Sequence, residues 1–189
     1  HLVDLGDKQR ELLYTGLDKA LSAKTAAQLQ PAAVGHALIV LGEIDGTESR
    51  SLLLKHATPK NDPVVRQAAL EALEGVALTP AQRRTVLSYV TEEDMTHIVR
   101  PAIRLLSDHT EWEAASVKIL EGLLDARAEE RRLFALRALV DCNTETLGKK
   151  CIKILLSGVP EFEAAAHQAL STNKKALESL LRSFQLEKN

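Results

Sequence analysis

A segment of nine residues recurs five times along the chain at nearly constant spacing. The copies begin at residues 33, 65, 98, 131 and 162, so consecutive starts lie 32, 33, 33 and 31 residues apart. In every copy the fifth residue is alanine (Ala37, Ala69, Ala102, Ala135, Ala166) and the ninth is leucine (Leu41, Leu73, Leu106, Leu139, Leu170). A unit of about thirty residues cannot bury its own apolar face, so it depends on stacking against its neighbours. The repeat therefore predicts a solenoid built from helical hairpins.

The second copy lies within Asp62 to Val76, a stretch that contains a helix start, an apolar stripe and a helix stop. Asp62 is suited to the N-cap, and Pro63 to the first helical position, where its missing N–H has no cost. Gly75 falls near the end, where a left-handed residue is favoured. The apolar residues with helical spacing on one face are Val65, Ala69, Ala72 and Leu73.

The pattern D-P-x-V-R-x-x-A-x-x-A-L is complete only in this second copy. The fourth copy keeps Arg132, Ala135, Ala138 and Leu139, whereas the fifth has Glu163 in place of the arginine. The pattern resembles the second helix of HEAT repeats, and the short period is most similar to bacterial HEAT-like repeats of the phycobilin-lyase type. The resemblance implies an all-α fold, a right-handed α-solenoid (superhelix) of about five HEAT-like helical hairpins plus a C-terminal capping helix. It implies one domain over residues 1–189, and it assigns no function, because this fold serves both scaffolds and enzymes.

Capping signals and apolar spacing predict the individual helices. The predicted ranges are 7–23, 31–42, 47–57, 62–76, a helix opening at Thr79-Pro80, a helix starting near Thr96, 111–125, 129–141, 144–157, 161–170 and a capping helix at 173–187. Pro101 predicts either a later helix start or a kink. Asn173 is the predicted cap of the last helix, whose stripe is Leu177, Leu180, Leu181 and Phe184.

Composition and charge argue against nucleic acid and the membrane interior as partners of this protein. Aromatic residues make up only 3% of the chain and the net charge is −2, which predicts no nucleic-acid binding. The apolar runs are shorter than the roughly 20 residues that span a bilayer, so we expect no membrane insertion. No secretion signal is visible, which predicts a cytoplasmic protein. Because the chain begins with His1 rather than Met, we expect it to be part of a larger protein.

Residues with catalytic potential do not form a recognisable motif. The six histidines lack metal-ligand spacing, and no phosphate-binding loop or nucleophile motif is present. Cys142 and Cys151 flank one predicted turn, where two buried thiols are the favoured interpretation and a disulfide is the alternative. We therefore expect a non-catalytic protein with no cofactor and no metal.

The exposed face of the repeated helices carries the candidate binding residues. Positions three, seven and ten of each copy share a face opposite the alanine and predict columns on the concave surface. The columns contain Gly35, Ile39 and Gly42, then Gln67, Glu71 and Glu74, then Arg100, Arg104 and Ser107, then Leu133, Arg137 and Val140, then Ala164, Gln168 and Ser171. The three arginines are expected to lie together beside Glu71 and Glu74. They either form salt bridges across neighbouring helices or bind a partner.

These observations leave several functions open. The first is a protein-interaction scaffold that binds an acidic protein or peptide through Arg100, Arg104, Arg137, Gln67 and Glu71, because arginine pairs carboxylates bidentately. The alternatives are a HEAT-like enzyme, either phycobilin-lyase-like or DNA-glycosylase-like, and a structural spacer. A glycosylase requires a basic groove with aromatic residues, which this composition does not favour.

Overall fold

A computed structural model describes residues 6–22, 28–44, 46–92, 95–107, 109, 111–142, 144–155 and 159–186. The regular structure of these ranges is entirely helical, with no strand, so the protein is all-α as predicted. The helices are α1 (Asp7–Ala20), α2 (Pro31–Gly42), α3 (Thr47–His56), α4 (Pro63–Ala72), α5 (Pro80–Glu92), α6 (Thr96–Ser107), α7 (Ala114–Leu123), α8 (Glu129–Ala138), α9 (Glu145–Leu155), α10 (Pro160–Thr172) and α11 (Lys174–Leu186).

The start and stop signals of α4 act as predicted. The Val64 amide donates to Asp62 Oδ1 at 2.9 Å, and Pro63 occupies the first turn. Gly75 has a φ of 78°, which is the left-handed conformation expected after a helix. The helix nevertheless ends at Ala72 rather than Val76, because the amides of Leu73 and Glu74 bond to carbonyls three residues earlier and tighten the chain into turns.

Two other predicted caps are also present. The Thr79 amide donates to Gln82 Oε1 at 2.9 Å, while the Gln82 amide donates to Thr79 Oγ1 at 3.3 Å. Asn173 Oδ1 accepts the Ala176 amide at 3.0 Å. These side chains satisfy amides that have no partner within the first helical turn. Local sequence is therefore sufficient to place these helix starts.

Several predicted boundaries differ from the structure. Helix α6 begins at Thr96 and continues through Pro101, so a later start does not occur. The ranges 111–125 and 129–141 shorten to α7 and α8, whereas α10 extends beyond the predicted 161–170 at both ends. The predicted ends at residues 23, 157 and 187 lie outside the described residues.

The chain divides into two compact units, and His1–Leu105 form the first. Within it α2 packs against α4, and α3 contacts both helices. Gly42 allows the close approach of α2 and α4, since a Cβ atom there would lie 2.7 Å from the Ala72 carbonyl oxygen. Helix α1 has no fully buried residue among the described positions and contacts α2.

The second unit comprises Leu106–Asn189. Helix α8 packs against α7 and α10, and α9 packs against α10 and α11. A Cβ atom at Gly148 of α9 would lie close to the Ala176 carbonyl oxygen of α11, so these two backbones are almost in contact. Trp112 precedes α7 and packs edge-on against Phe134, with ring centroids 6.4 Å apart.

The repeated alanine and leucine residues lie mostly in the buried contacts between helices. Four of the five repeated alanines, Ala69, Ala102, Ala135 and Ala166, are completely buried, and Ala37 is half-buried. Leu41, Leu73, Leu106 and Leu139 are also completely buried, whereas Leu170 is half-buried. The small alanine side chain lets neighbouring helices approach, which explains why it repeats.

The arginine of the sequence pattern has a structural role in both copies that contain it. Arg66 Nε donates to the Ala57 carbonyl after α3 at 3.4 Å, and its guanidinium lies 5.7 Å from the Tyr89 ring centroid. Arg132 Nη1 donates to the carbonyls of Ala126 and Arg127, each at 3.0 Å. Its guanidinium lies 5.4 Å from the Phe162 ring centroid. Both arginines therefore satisfy carbonyls in the turn after the preceding helix.

Some positions predicted to be exposed are buried. Gly35 faces Ala68 of α4, since a Cβ atom there would lie 3.3 Å from the Ala68 Cβ, and Val140 is also buried. The expected exposed column of Gly35, Ile39 and Gly42 is therefore wrong at Gly35, because its missing side chain lets α4 pack on α2. Gly42 is half-buried beside Ala72, and Ile39 is exposed as expected. In α11 the buried face contains Ala176, Ser179 and Leu180, whereas Leu177 and Leu181 of the predicted stripe are exposed.

Candidate functional site

The first unit brings four polar side chains of the predicted surface into contact. Arg104 of α6 donates from Nε to Glu74 Oε1 at 2.6 Å, and its Nη2 lies 3.9 Å from Glu71 Oε1. Gln67 Nε2 also donates to Glu71 Oε1, at 2.9 Å. Arg100 is exposed one helical turn before Arg104. We call Gln67, Glu71, Glu74, Arg100 and Arg104 the α4–α6 polar surface.

Solvent reaches this surface. The side chains of Arg104, Glu71 and Glu74 are 56%, 37% and 41% exposed. Ion pairs with this exposure typically contribute only about 0–1 kcal/mol to folding, because water screens them and ordering two long side chains costs entropy. The Arg104 ion pairs therefore orient the side chains of this surface but add little to the free energy of folding.

Arg137, the third predicted arginine, belongs to the second unit. It is exposed on α8 and lines an open cleft of about 430 Å³ with Asp141, Glu161 and Gln168. Within the described residues no ion pair of Arg137 is formed. Its expected position next to Arg100 and Arg104 remains a prediction.

A second concave feature lies in the first unit, where sequence reasoning placed no site. It is an open cleft of about 620 Å³ between the start of α2, the end of α3 and the turn that leads into α4. Its apolar lining consists of Leu21, Leu29, Pro31, Val34 and Val65. We call it the α2–α3 cleft.

The polar lining of the α2–α3 cleft includes a buried histidine. His56 is only 8% exposed, and its Nε2 has no hydrogen-bond partner among the described residues. Burial is the main cause that lowers the pKa of His56 from 6.5, and the nearby Lys55 charge lowers the pKa further, while a hydrogen bond to the Leu21 backbone opposes both. The imidazole is therefore neutral at neutral pH.

The turn that forms one wall of this cleft is held by Asn61. Its Nδ2 donates to the carbonyls of Lys55 and His56 at 3.1 and 3.0 Å, and to Thr58 Oγ1 at 3.2 Å. These bonds fix the backbone between α3 and α4. The predicted helices 47–57 and 62–76 leave a short connection here, but they did not reveal that it faces an apolar cleft.

The two cysteines provide no reactive group. Both are free thiols, so the disulfide that the sequence left open is not formed. Cys151 is completely buried, and burial raises its pKa to about 11. Burial is also the main cause that raises the pKa of the half-buried Cys142 thiol, with smaller contributions from Asp141 and Glu121. Thiols with raised pKa values are poor nucleophiles and metal ligands at neutral pH.

The described residues were also compared with what a metal site and a membrane-spanning helix require. Among the described residues, no group of three or more His, Cys, Asp or Glu side chains is arranged to hold a metal ion. No described helix combines the length and apolar character needed to cross a membrane.

Comparison with known proteins identifies a similar fold but no family. No protein-family model matches the chain, and no curated protein matches it significantly. The chain is similar to a crystal structure described as that of an engineered protein, with a TM-score of 0.63 and 19% sequence identity. The match covers 91% of this chain and 85% of the other. At this identity the similarity applies to the fold alone.

Proposed function

We propose that this chain is a non-catalytic protein-interaction module that binds an acidic peptide segment of a partner. The proposal includes a HEAT-like, right-handed solenoid of about five hairpins with a C-terminal cap, in which the binding surface is concave. The regular repeat of buried alanine and leucine supports this architecture, while the exposed positions differ between copies. Such a division between uniform packing and variable surface is typical of repeat proteins that bind partners.

Arg104 forms the salt bridges to Glu71 and Glu74 that were the alternative to partner binding, so the proposal depends on the exposure of these contacts, which lets a partner carboxylate replace them. Arg104 meets two carboxylates that lie 30 and 33 positions earlier in the chain, on α4 and in the turn that follows it. Because the Nε edge of Arg104 already contacts Glu74, its geometry for binding a carboxylate is formed before a partner arrives. Preorganised side chains lose less conformational entropy on binding than mobile ones.

An acidic partner binds by exchanging one carboxylate for another. A partner glutamate or aspartate replaces Glu74 at Arg104, and Glu74 returns to water at little cost because it is already 41% exposed. Gln67 keeps Glu71 in place through its 2.9 Å hydrogen bond. Arg100 supplies a second positive charge one turn away. Arg137, an exposed residue of the second unit, stays a predicted binding residue.

Charge reversal tests this proposal. The probe is a fluorescent peptide of consecutive glutamates, with a glutamine peptide of equal length as the uncharged comparison. We expect the native chain to bind the glutamate peptide and to lose affinity between about 50 and about 500 mM NaCl, since salt screens exposed charges. The variant Arg100→Glu/Arg104→Glu/Arg137→Glu should bind at least tenfold more weakly.

The variant Lys118→Glu/Lys149→Glu is the control for charge, because both lysines are exposed on α7 and α9. It should keep most of the peptide affinity, and circular dichroism should show that both variants remain helical. Equal binding by the triple variant and the native chain, or equal binding of both peptides, would show that the arginines do not recognise carboxylates.

A further inference from the structure

The α2–α3 cleft combines an apolar floor with lysine charges that have no ion-pair partner among the described residues. Leu21, Val34 and Val65 are buried in its floor, while Leu29 remains 40% exposed at its edge. Its volume of about 620 Å³ lies in the range of small-molecule sites, which is roughly 300–1,000 Å³. The cleft is therefore large enough for a small apolar ligand.

Lys55 and Lys60 are exposed at the rim of this cleft. Neither ammonium group forms an ion pair within the described residues. Asp62 is the acidic residue of the lining, and its Oδ1 already accepts the Val64 amide as a helix cap. With neutral His56, the lining has a net charge of +1, which favours an anionic group at the rim.

His56 contributes a polar atom to the cleft lining that needs a hydrogen-bond partner. His56 lines the cleft, and its Nε2 has no hydrogen-bond partner among the described residues. In a neutral imidazole each ring nitrogen can take part in a hydrogen bond, one as donor and the other as acceptor. An unsatisfied polar atom in a buried side chain destabilises the folded protein. A ligand hydroxyl, which can donate or accept, would satisfy Nε2.

We propose that the α2–α3 cleft binds an amphiphile with an unbranched apolar chain, a terminal carboxylate and a hydroxyl group near that carboxylate. The chain lies against Leu21, Val34 and Val65, and the carboxylate accepts hydrogen bonds from Lys55 and Lys60. The hydroxyl, which can donate or accept, forms a hydrogen bond with His56 Nε2. This site is separate from the α4–α6 polar surface, because the two share no side chain.

Calorimetric titration tests this site with 3-hydroxydodecanoate, dodecanoate and dodecylammonium below their micelle concentrations. We expect affinity to decrease in that order. Lys55→Gln/Lys60→Gln should weaken binding of both carboxylates about fivefold or more, which corresponds to two exposed charge contacts. His56→Phe should remove the advantage of the hydroxylated ligand over dodecanoate.

Arg100→Glu/Arg104→Glu is the matched control, and it should leave amphiphile binding unchanged even if it abolishes peptide binding. A loss of amphiphile binding in that control would overturn the assignment to this cleft. So would equal affinity for dodecylammonium, an unchanged affinity of the double lysine variant, or the absence of binding. Both lysines are exposed, so their replacement does not disturb the packed core, and far-ultraviolet circular dichroism checks the fold.

Discussion

At the scale of single residues, the arginine of the D-P-x-V-R pattern packs against other parts of the same chain, as Arg132 shows. Its two 3.0 Å hydrogen bonds join α8 to the turn after α7, and Phe162 of α10 lies against its guanidinium. Arg66 makes the corresponding contacts in the first unit. Since these side chains face carbonyls and rings of the same chain, they belong to the packing rather than to a binding surface.

Replacement of Arg132 should therefore reduce stability. We expect Arg132→Leu to lower the free energy of unfolding by about 1–3 kcal/mol, because two carbonyls lose a charged donor and the cation–π contact disappears. Urea denaturation measures the change. The exposed neighbour Arg127 provides the comparison, and Arg127→Gln should change stability by less than about 0.5 kcal/mol. Similar effects of both substitutions would argue against the capping role.

His56 should make stability depend on pH. Its pKa is lowered in the folded protein, so below about pH 6.5 the unfolded chain takes up a proton more readily than the folded chain. The free energy of unfolding should therefore fall as the pH decreases through 6.5 and stop falling below the folded pKa. His56→Gln should lack this component, so urea denaturation of both proteins between about pH 7.5 and about pH 5 measures it. Parallel pH profiles of the two proteins would contradict the prediction.

At the scale of helices, the closest contacts occur where glycine replaces a side chain. Gly148 meets the Ala176 carbonyl, and Gly42 meets Ala72, so the helix pairs α9–α11 and α2–α4 approach backbone to backbone. Gly122 of α7 is also helical, but a Cβ atom added there would have no neighbouring atom within 4 Å. Two helical glycines in one unit thus have opposite packing requirements.

This contrast predicts opposite effects of the same substitution. Gly148→Ala should destabilise the second unit by about 1–3 kcal/mol or more, because the added methyl group forces α11 away from α9. Gly122→Ala should stabilise by up to about 1 kcal/mol, since alanine favours the helix and meets no neighbour. Thermal and urea denaturation measure both. Equal stabilisation by the two alanines would refute the close packing of α9 and α11.

At the scale of the whole chain, the repeat predicts the packing best in its middle copies. Ala69, Ala102 and Ala135 are completely buried, whereas Ala37 of the first copy is only half-buried. Leu170 of the last copy is likewise half-buried. The other repeated residue of each of these two copies, Leu41 or Ala166, is completely buried. The all-α fold follows directly from this repeated apolar spacing.

The amino-acid sequence by itself determined the features that arise within one helix or one turn. It predicted the caps formed by Asp62, Thr79 and Asn173 and the left-handed Gly75, because these depend on neighbouring backbone groups. It also predicted the buried alanines, because a repeated position meets similar neighbours in each copy. The end of α4 at Ala72 was not predicted, although local hydrogen bonds of Leu73 and Glu74 form it.

Tertiary structure alone decided which side chains form a site. The contact of Arg104 with Glu74, the burial of Gly35 against Ala68 and the burial of His56 depend on residues distant in sequence. Helical spacing gives the face on which a residue lies, but it does not give the rotation of the neighbouring helix or the path of the next turn. The α2–α3 cleft exists because the turn held by Asn61 leaves apolar side chains of three segments facing one another.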